Sequence, residues 1–319
     1  MNVTWACLLL FGGLVILWKS ADWLVDGAVG LAQRLGVSPL VIGLTIVAMG
    51  TSAPEVAASI AAAVKGVGNV AIGNVYGSNI ANLALVGGLA ALIRPIRIQL
   101  RTLMREMPVM IVVALLLWPV LVNNYLSRAE GFVLLGIFAG LILLTIYTAR
   151  KEAEDTQSEA ASGKREVKRS VLYVVIGLAG LALGADMVVR GAVFIGERVG
   201  LSKAVIGLTI VAIGTSLPEL VTCVVAAIRG QHDISIGNLV GSNVFNTLLV
   251  VGTAGVVRPF GDIAARLAGG VDYGIMIVVS GVFVLVAAIG RRIGRAKGTM
   301  LLLGYIGYMV YLLAYTAGV

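Results

Sequence analysis

Apolar runs of about 20 residues, long enough to cross a hydrocarbon core, alternate with short charged segments along this chain. Ten can be marked: 3–28, 37–64, 68–92, 104–122, 127–149, 168–194, 202–228, 233–256, 270–289 and 299–317. Polar and apolar residues do not alternate within them, as they would in the strands of a membrane barrel. The pattern predicts an all-α polytopic membrane protein with ten transmembrane helices. The opening stretch MNVTWACLLLFGGLVILW has no basic leader region and reads as the first span rather than a removed signal.

Composition sharpens this reading. Of 319 residues, 59% are hydrophobic and 13% charged, and the mean hydropathy is +1.00. A soluble domain carries about 25% charged residues. The net charge of +8 reflects where the basic residues fall, and nucleic acid is not an expected partner. Sixteen of them lie in alternate connections: Arg34; Arg94, Arg97, Arg101 and Arg105; Arg150, Lys151, Lys164, Arg165, Lys168 and Arg169; Arg229; and Arg291, Arg292, Arg295 and Lys297. The other connections hold six: Lys65, Arg128, Arg198, Lys203, Arg258 and Arg266. The positive-inside rule puts the first set in the cytoplasm and both termini outside. The expected location is the cell membrane.

The chain divides into residues 1–149, a charged linker at 150–169 and residues 170–319. Each half has five spans. An odd number sends the second half into the membrane in the opposite direction, so the halves form an inverted repeat. The linker lacks aromatics and reads as a mobile cytoplasmic segment. Cys7 and Cys223 fall in apolar spans and are expected as buried free thiols.

The repeat is visible in the residues. Positions 42–55 read IGLTIVAMGTSAPE and positions 206–219 read IGLTIVAIGTSLPE, twelve of fourteen identical at an offset of 164. The same offset carries Gly73, Asn74, Gly77, Ser78, Asn79 and Asn82 onto Gly237, Asn238, Gly241, Ser242, Asn243 and Asn246. A charge at the bilayer centre costs about 2.5–3.5 kcal/mol on insertion scales, so two equivalent acids, Glu55 and Glu219, point to a bound cation that they share near the midplane. Pro54 and Pro218 are expected to kink their helices and free carbonyls near Gly50 and Gly214. Thr51, Ser52, Thr215 and Ser216 add hydroxyls. Ser78 with Asn82, and Ser242 with Asn246, add oxygens four residues apart on one helix face. All-oxygen shells suit Ca²⁺ and Na⁺ rather than zinc or copper. Gly73, Gly77, Gly237 and Gly241 read as close-packing positions. Lys19, Asp22, Asp26, Asp186 and Arg190 read as snorkelling side chains or local ion pairs.

At these residues the chain resembles the sodium/calcium exchanger family of the cation/calcium antiporter superfamily. The likeness covers nearly the whole chain and rests on GTSAPE/GTSLPE and GNVYGSN/GNLVGSN. It implies electrogenic antiport of about three Na⁺ against one Ca²⁺, with no cofactor, no catalytic residue and a monomer as the working unit. Alternating access by sliding of the first and sixth spans is also implied. Carried over by motif, the ligands would be the carbonyls of Ala48 and Ala212 and the side chains of Thr51, Ser52, Glu55, Ser78, Asn82, Thr215, Ser216, Glu219, Ser242 and Asn246. Several members, potassium-dependent ones among them, carry Asp at the place of Asn246, which argues against potassium coupling. Ca²⁺/H⁺ antiport remains the alternative, with protons replacing Na⁺ on the two acids. An intramembrane hydrolase lacks support: His232, expected in a solvated loop, is the lone histidine, and neither HExxH nor GxSxG occurs.

Overall fold

The computed structural model describes residues 2–155, 164–201 and 206–316. The architecture is all-α. Eight helices are long and apolar enough to cross a membrane, and two bent pairs bring the number to ten. In chain order they are α1 (Val3–Leu35), the broken α2 (α2a, Pro39–Thr51; α2b, Ala53–Val64), α3 (Gly68–Ile93), α4 (Thr102–Leu121) and α5 (Arg128–Asp155). The second half holds α6 (Lys164–Arg198), the broken α7 (α7a, Thr209–Thr215; α7b, Leu217–Ile228), α8 (His232–Val257), α9 (Val271–Ala288) and α10 (Arg295–Thr316). Several helices outrun their apolar runs: α5 continues through Asp155 and α6 starts at Lys164. Both ends of the charged linker are therefore helical, and its centre, 156–163, lies outside the described residues.

The two halves are built alike at their turns. Gly66 and Gly230, 164 residues apart, end α2b and α7b in the left-handed region (φ +78° and +76°), which costs glycine nothing. Arg258 donates to the Val64 carbonyl at 2.6 Å, and its repeat equivalent Arg94 donates to the Ile228 carbonyl. Each arginine thus caps the last turn of the other half's broken helix, where cations oppose the helix dipole. A two-residue ladder pairs β1 (Ile96–Arg97) with β2 (Arg292–Ile293) on the linker side, and a single bridge joins Leu126 to Phe260 on the other.

Apolar side chains such as Phe11, Val112, Leu143 and Leu303 are largely exposed, as lipid-facing residues are. One buried cluster (Tyr76, Leu117, Leu121, Phe260) lies towards the Lys65 end and a second (Leu83, Met107, Phe283, Ile293) towards the linker end. A third (Leu17, Leu24, Leu181, Val225) ties α1 and α6 to each other and to the broken helices. α1 and α6 run antiparallel in close contact: a Cβ on Gly13 would meet the Gly184 carbonyl at 2.8 Å. Such small-residue seams replace the hydrophobic drive that lipid cannot supply.

The thiols are free, with Cys223 buried but Cys7 only partly so. His232 starts α8 and is partly buried rather than sitting in a solvated loop.

Candidate functional site

The two signature motifs break their helices. The turn falls at Ser52 (φ −83°, ψ 5°) and Ser216 (φ −90°, ψ 4°), in the sparsely populated bridge region. The flanking segments bend by 43° and 54°. Pro54 and Pro218 therefore do not kink continuous helices. They occupy the first turn of α2b and α7b, where a missing N–H costs nothing. Glu55 and Glu219 sit in the same first turns, at the positive end of a helix dipole, while α2a and α7a direct their negative ends at the same region.

Both glutamates are 0% exposed. They lie within electrostatic reach of each other, and the halves interlock around them. Ser52 donates to Glu219 Oε1 at 3.1 Å, and Thr51 also approaches Glu219. Thr215 approaches Glu55, and Ser78 reaches Glu55 Oε1 at 3.5 Å, the edge of hydrogen-bonding distance. The second carboxylate oxygen of each acid, Oε2, has no protein partner. Neither do the amide atoms of Asn82 and Asn246 nor the hydroxyls of Ser216 and Thr222, all buried. A buried unpaired polar atom costs about 1–3 kcal/mol. A concentration of unpaired oxygens around two acids fits a cation's coordination shell, which would satisfy them together. Among the described residues no group of three or more His, Cys, Asp or Glu converges, so the charge here comes from two carboxylates.

Asn82 and Asn246 are carried by a device the sequence does not display. Each lies in a π-helical stretch, Ala81–Val86 and Asn246–Val250, where one extra residue per turn re-aims side chains. The stretch holding Asn82 packs on α7b, and that holding Asn246 packs on α2b. Two further π-helical stretches, Gly43–Val47 and Gly207–Val211, lead into Ala48 and Ala212. No residue type marks such a turn; a fully buried Asn in an apolar helix is the nearest signal.

Asn238 and Asn74 belong to the repeat but had no assigned part. Asn238 Oδ1 accepts from Thr51 at 3.0 Å and from Ser242 at 3.5 Å, while its amide donates to Cys223 Sγ at 3.3 Å. Asn74 donates to the Glu55 carbonyl at 3.3 Å and to Ser59 Oγ at 3.0 Å. They hold the ring of hydroxyls in place.

Despite near-identical sequence, the two copies differ in surroundings. Ala48 and Thr51 are buried, whereas Ala212 is exposed and Thr215 half-buried. Ser52 N–H bonds the Ala48 carbonyl, but the corresponding N–H of Ser216 turns to Ile213. Gly237 and Gly241 pack as expected: a Cβ would meet the Leu40 carbonyl at 2.8 Å and the Leu44 carbonyl at 2.7 Å. Their equivalents Gly73 and Gly77 do not, having nothing within 4 Å among the described residues. The end of α2a is thus packed among its neighbours, whereas the end of α7a is less covered.

A broken helix in each half, crossing at paired buried acids, is the arrangement that known proteins can be compared with. A family profile described as sodium/calcium exchanger protein matches residues 5–147 and 169–314. The chain belongs to the sodium/calcium exchanger family. It is 41% identical to the putative antiporter CaxA of Alkalimonas amylolytica over 97% of this chain and 98% of that one. It is 33% identical to the sodium/calcium exchanger MaX1 of Methanosarcina acetivorans, covering 96% and 97%. Its fold matches the solved sodium-calcium exchanger NCX_Mj at a TM-score of 0.85 and 30% identity, over 98% of this chain and 100% of that one. Family and fold are those of membrane antiporters, not of enzymes.

Proposed function

We propose that the protein exchanges Na⁺ for Ca²⁺ by alternating access, using Glu55 and Glu219 as shared ligands. One observation carries this reading: two fully buried carboxylates from inverted halves, each with one oxygen free of protein partners, ringed by hydroxyl and amide oxygens. The names of its relatives support the same ion pair. The remaining ligands are Thr51, Ser52, Ser78, Asn82, Thr215, Ser216, Ser242 and Asn246, with the carbonyls of Ala48 and Ala212.

The mechanism follows from charge. Two carboxylates give the free site a formal charge of −2. One Ca²⁺ neutralises it, and three Na⁺ overshoot to +1. A neutral or singly charged site crosses an apolar barrier at far lower cost than a doubly charged one, so the empty carrier stays put and exchange is obligatory. Na⁺ and Ca²⁺ compete because they use the same acids. The linker side is cytoplasmic, both termini lie outside, and the functional unit is one chain in the bilayer of the cell membrane.

The test is Ca²⁺ uptake into vesicles holding purified protein, driven in turn by outward Na⁺, K⁺ and H⁺ gradients. Uptake with Na⁺ alone is expected. Uptake driven by protons and indifferent to Na⁺ would replace Na⁺ coupling with proton coupling at the same two acids.

A further inference from the structure

We propose that Arg229, Asp22 and Asp26 form a latch that holds the linker end of the transport path shut, and that Lys65 with Asp186 forms its weaker counterpart at the opposite end. The proposal rests on the alternating-access reading above.

Arg229 caps the linker end of α7b and pairs with both Asp22 and Asp26 of α1. The Arg229 and Asp22 side chains are 31% and 30% exposed and Asp26 is 49% exposed; two carboxylates on one guanidinium, rather than burial, give the pairing its strength. These carboxylates are therefore neither snorkelling nor locally paired, as a sequence reading suggests, but join two separate helices. The repeat offset maps Asp22 onto Asp186, Asp26 onto Arg190 and Arg229 onto Lys65. At the Lys65 end the same positions are arranged differently. Asp186 pairs with Arg190 on its own helix at 2.8 Å. Lys65 is exposed and has no ion pair among the described residues.

Packing follows the charges. α1 lies along α7b and buries Val225 and Ala226. The symmetry mate of that contact, α6 along α2b, is not comparably made, and Ala61, the equivalent of Val225, is exposed. Together with exposed Ala212 and buried Ala48, the latched end is the closed end and the unlatched end is the open one.

In an inverted repeat the opposite state arises when the halves trade conformations. Arg229 then loses both carboxylates, and Lys65 meets Asp186. The trade is unequal. A guanidinium held by two carboxylates gives way to an ammonium facing one carboxylate already claimed by Arg190. The protein therefore rests with its linker end shut, and the Asp26/Arg190 difference between the halves sets that bias.

The test reads conformation directly. A reporter cysteine replaces Val225, which is buried beneath α1 while its repeat equivalent Ala61 is exposed, in the full protein in lipid vesicles. Its labelling by a membrane-impermeant thiol reagent is timed from the linker side, with the two native thiols measured in protein lacking the reporter. Asp22→Asn with Asp26→Asn is expected to raise the labelling rate by about threefold or more, the scale of one or two partly exposed ion pairs. Arg190→Ala is expected to raise it too, by releasing Asp186 to Lys65, and adding Lys65→Ala should remove that second rise. Arg190 is 69% exposed, so its loss leaves the fold intact. Unchanged labelling in the double Asn variant overturns the latch; unchanged labelling in Arg190→Ala overturns the competition at the other end. Absence of Na⁺-driven Ca²⁺ uptake by the unsubstituted protein would overturn the exchanger reading instead, and the labelling result would stand apart from it.

Discussion

In the proposed site Glu55 and Glu219 supply the fixed charge found among the described residues, and each is fully buried, so each is expected to be indispensable. Glu55→Gln and Glu219→Gln keep size and hydrogen-bonding capacity but remove one charge. Because ligand charge tunes Ca²⁺ affinity over several decades, each should lower it by about 100-fold or more, measured by calcium binding and by uptake into vesicles. Protons compete for the same oxygens, so the Ca²⁺ concentration needed for half-maximal uptake should rise as pH falls. A pH-independent value would remove the carboxylates from the ligand set. Asn246 offers a gain rather than a loss. Its amide has no protein partner, and Asn246→Asp adds a third carboxylate able to balance one more monovalent cation. Ca²⁺ uptake by that variant should become stimulated by K⁺, tested with and without K⁺ at constant ionic strength.

At the scale of elements, the decisive features are the breaks at Ser52 and Ser216 and the π-helical stretches that carry Asn82 and Asn246. Both devices expose backbone or aim polar side chains at membrane depth, which is tolerated only inside a polar cavity. Glycine spacing behaves differently in the two halves, and stability can read the difference. Gly241→Ala would press a methyl group to 2.7 Å from the Leu44 carbonyl and from Ala48 Cβ. Overpacking of this kind costs about 1–3 kcal/mol, so thermal unfolding in detergent should shift down by several degrees. The matched change Gly77→Ala meets nothing within 4 Å among the described residues and should leave the transition unmoved or slightly raised, since alanine favours helix.

For the whole molecule, the proposed exchange of three Na⁺ for one Ca²⁺ would carry one net charge across the membrane. A potential biases one charge by about 2.3 kcal/mol per 100 mV, so the equilibrium Ca²⁺ ratio should shift about fiftyfold per 100 mV. An inside-positive potential, set with a K⁺ ionophore, should raise Na⁺-driven Ca²⁺ uptake; no response would rule out a net charge. Much of this protein was open to reading before any coordinates. The apolar runs placed ten spans because backbone polar groups in lipid must be satisfied within helices, and the 164-residue offset pointed to inverted halves because each would hold five. The paired acids, hydroxyls and asparagines pointed to the hard-cation site proposed above, because a shared cation would offset the cost of their burial. Tertiary structure alone decided how differently the two copies are covered. Ala48 and Ala212 sit in segments identical at twelve of fourteen positions, yet one is buried and the other exposed. Likewise Asp22 crosses to Arg229, while Asp186 stays with Arg190 on its own helix. Local sequence specifies what each segment can bury and bind; when two segments are the same, only the packing of the whole chain around them can make their surroundings differ.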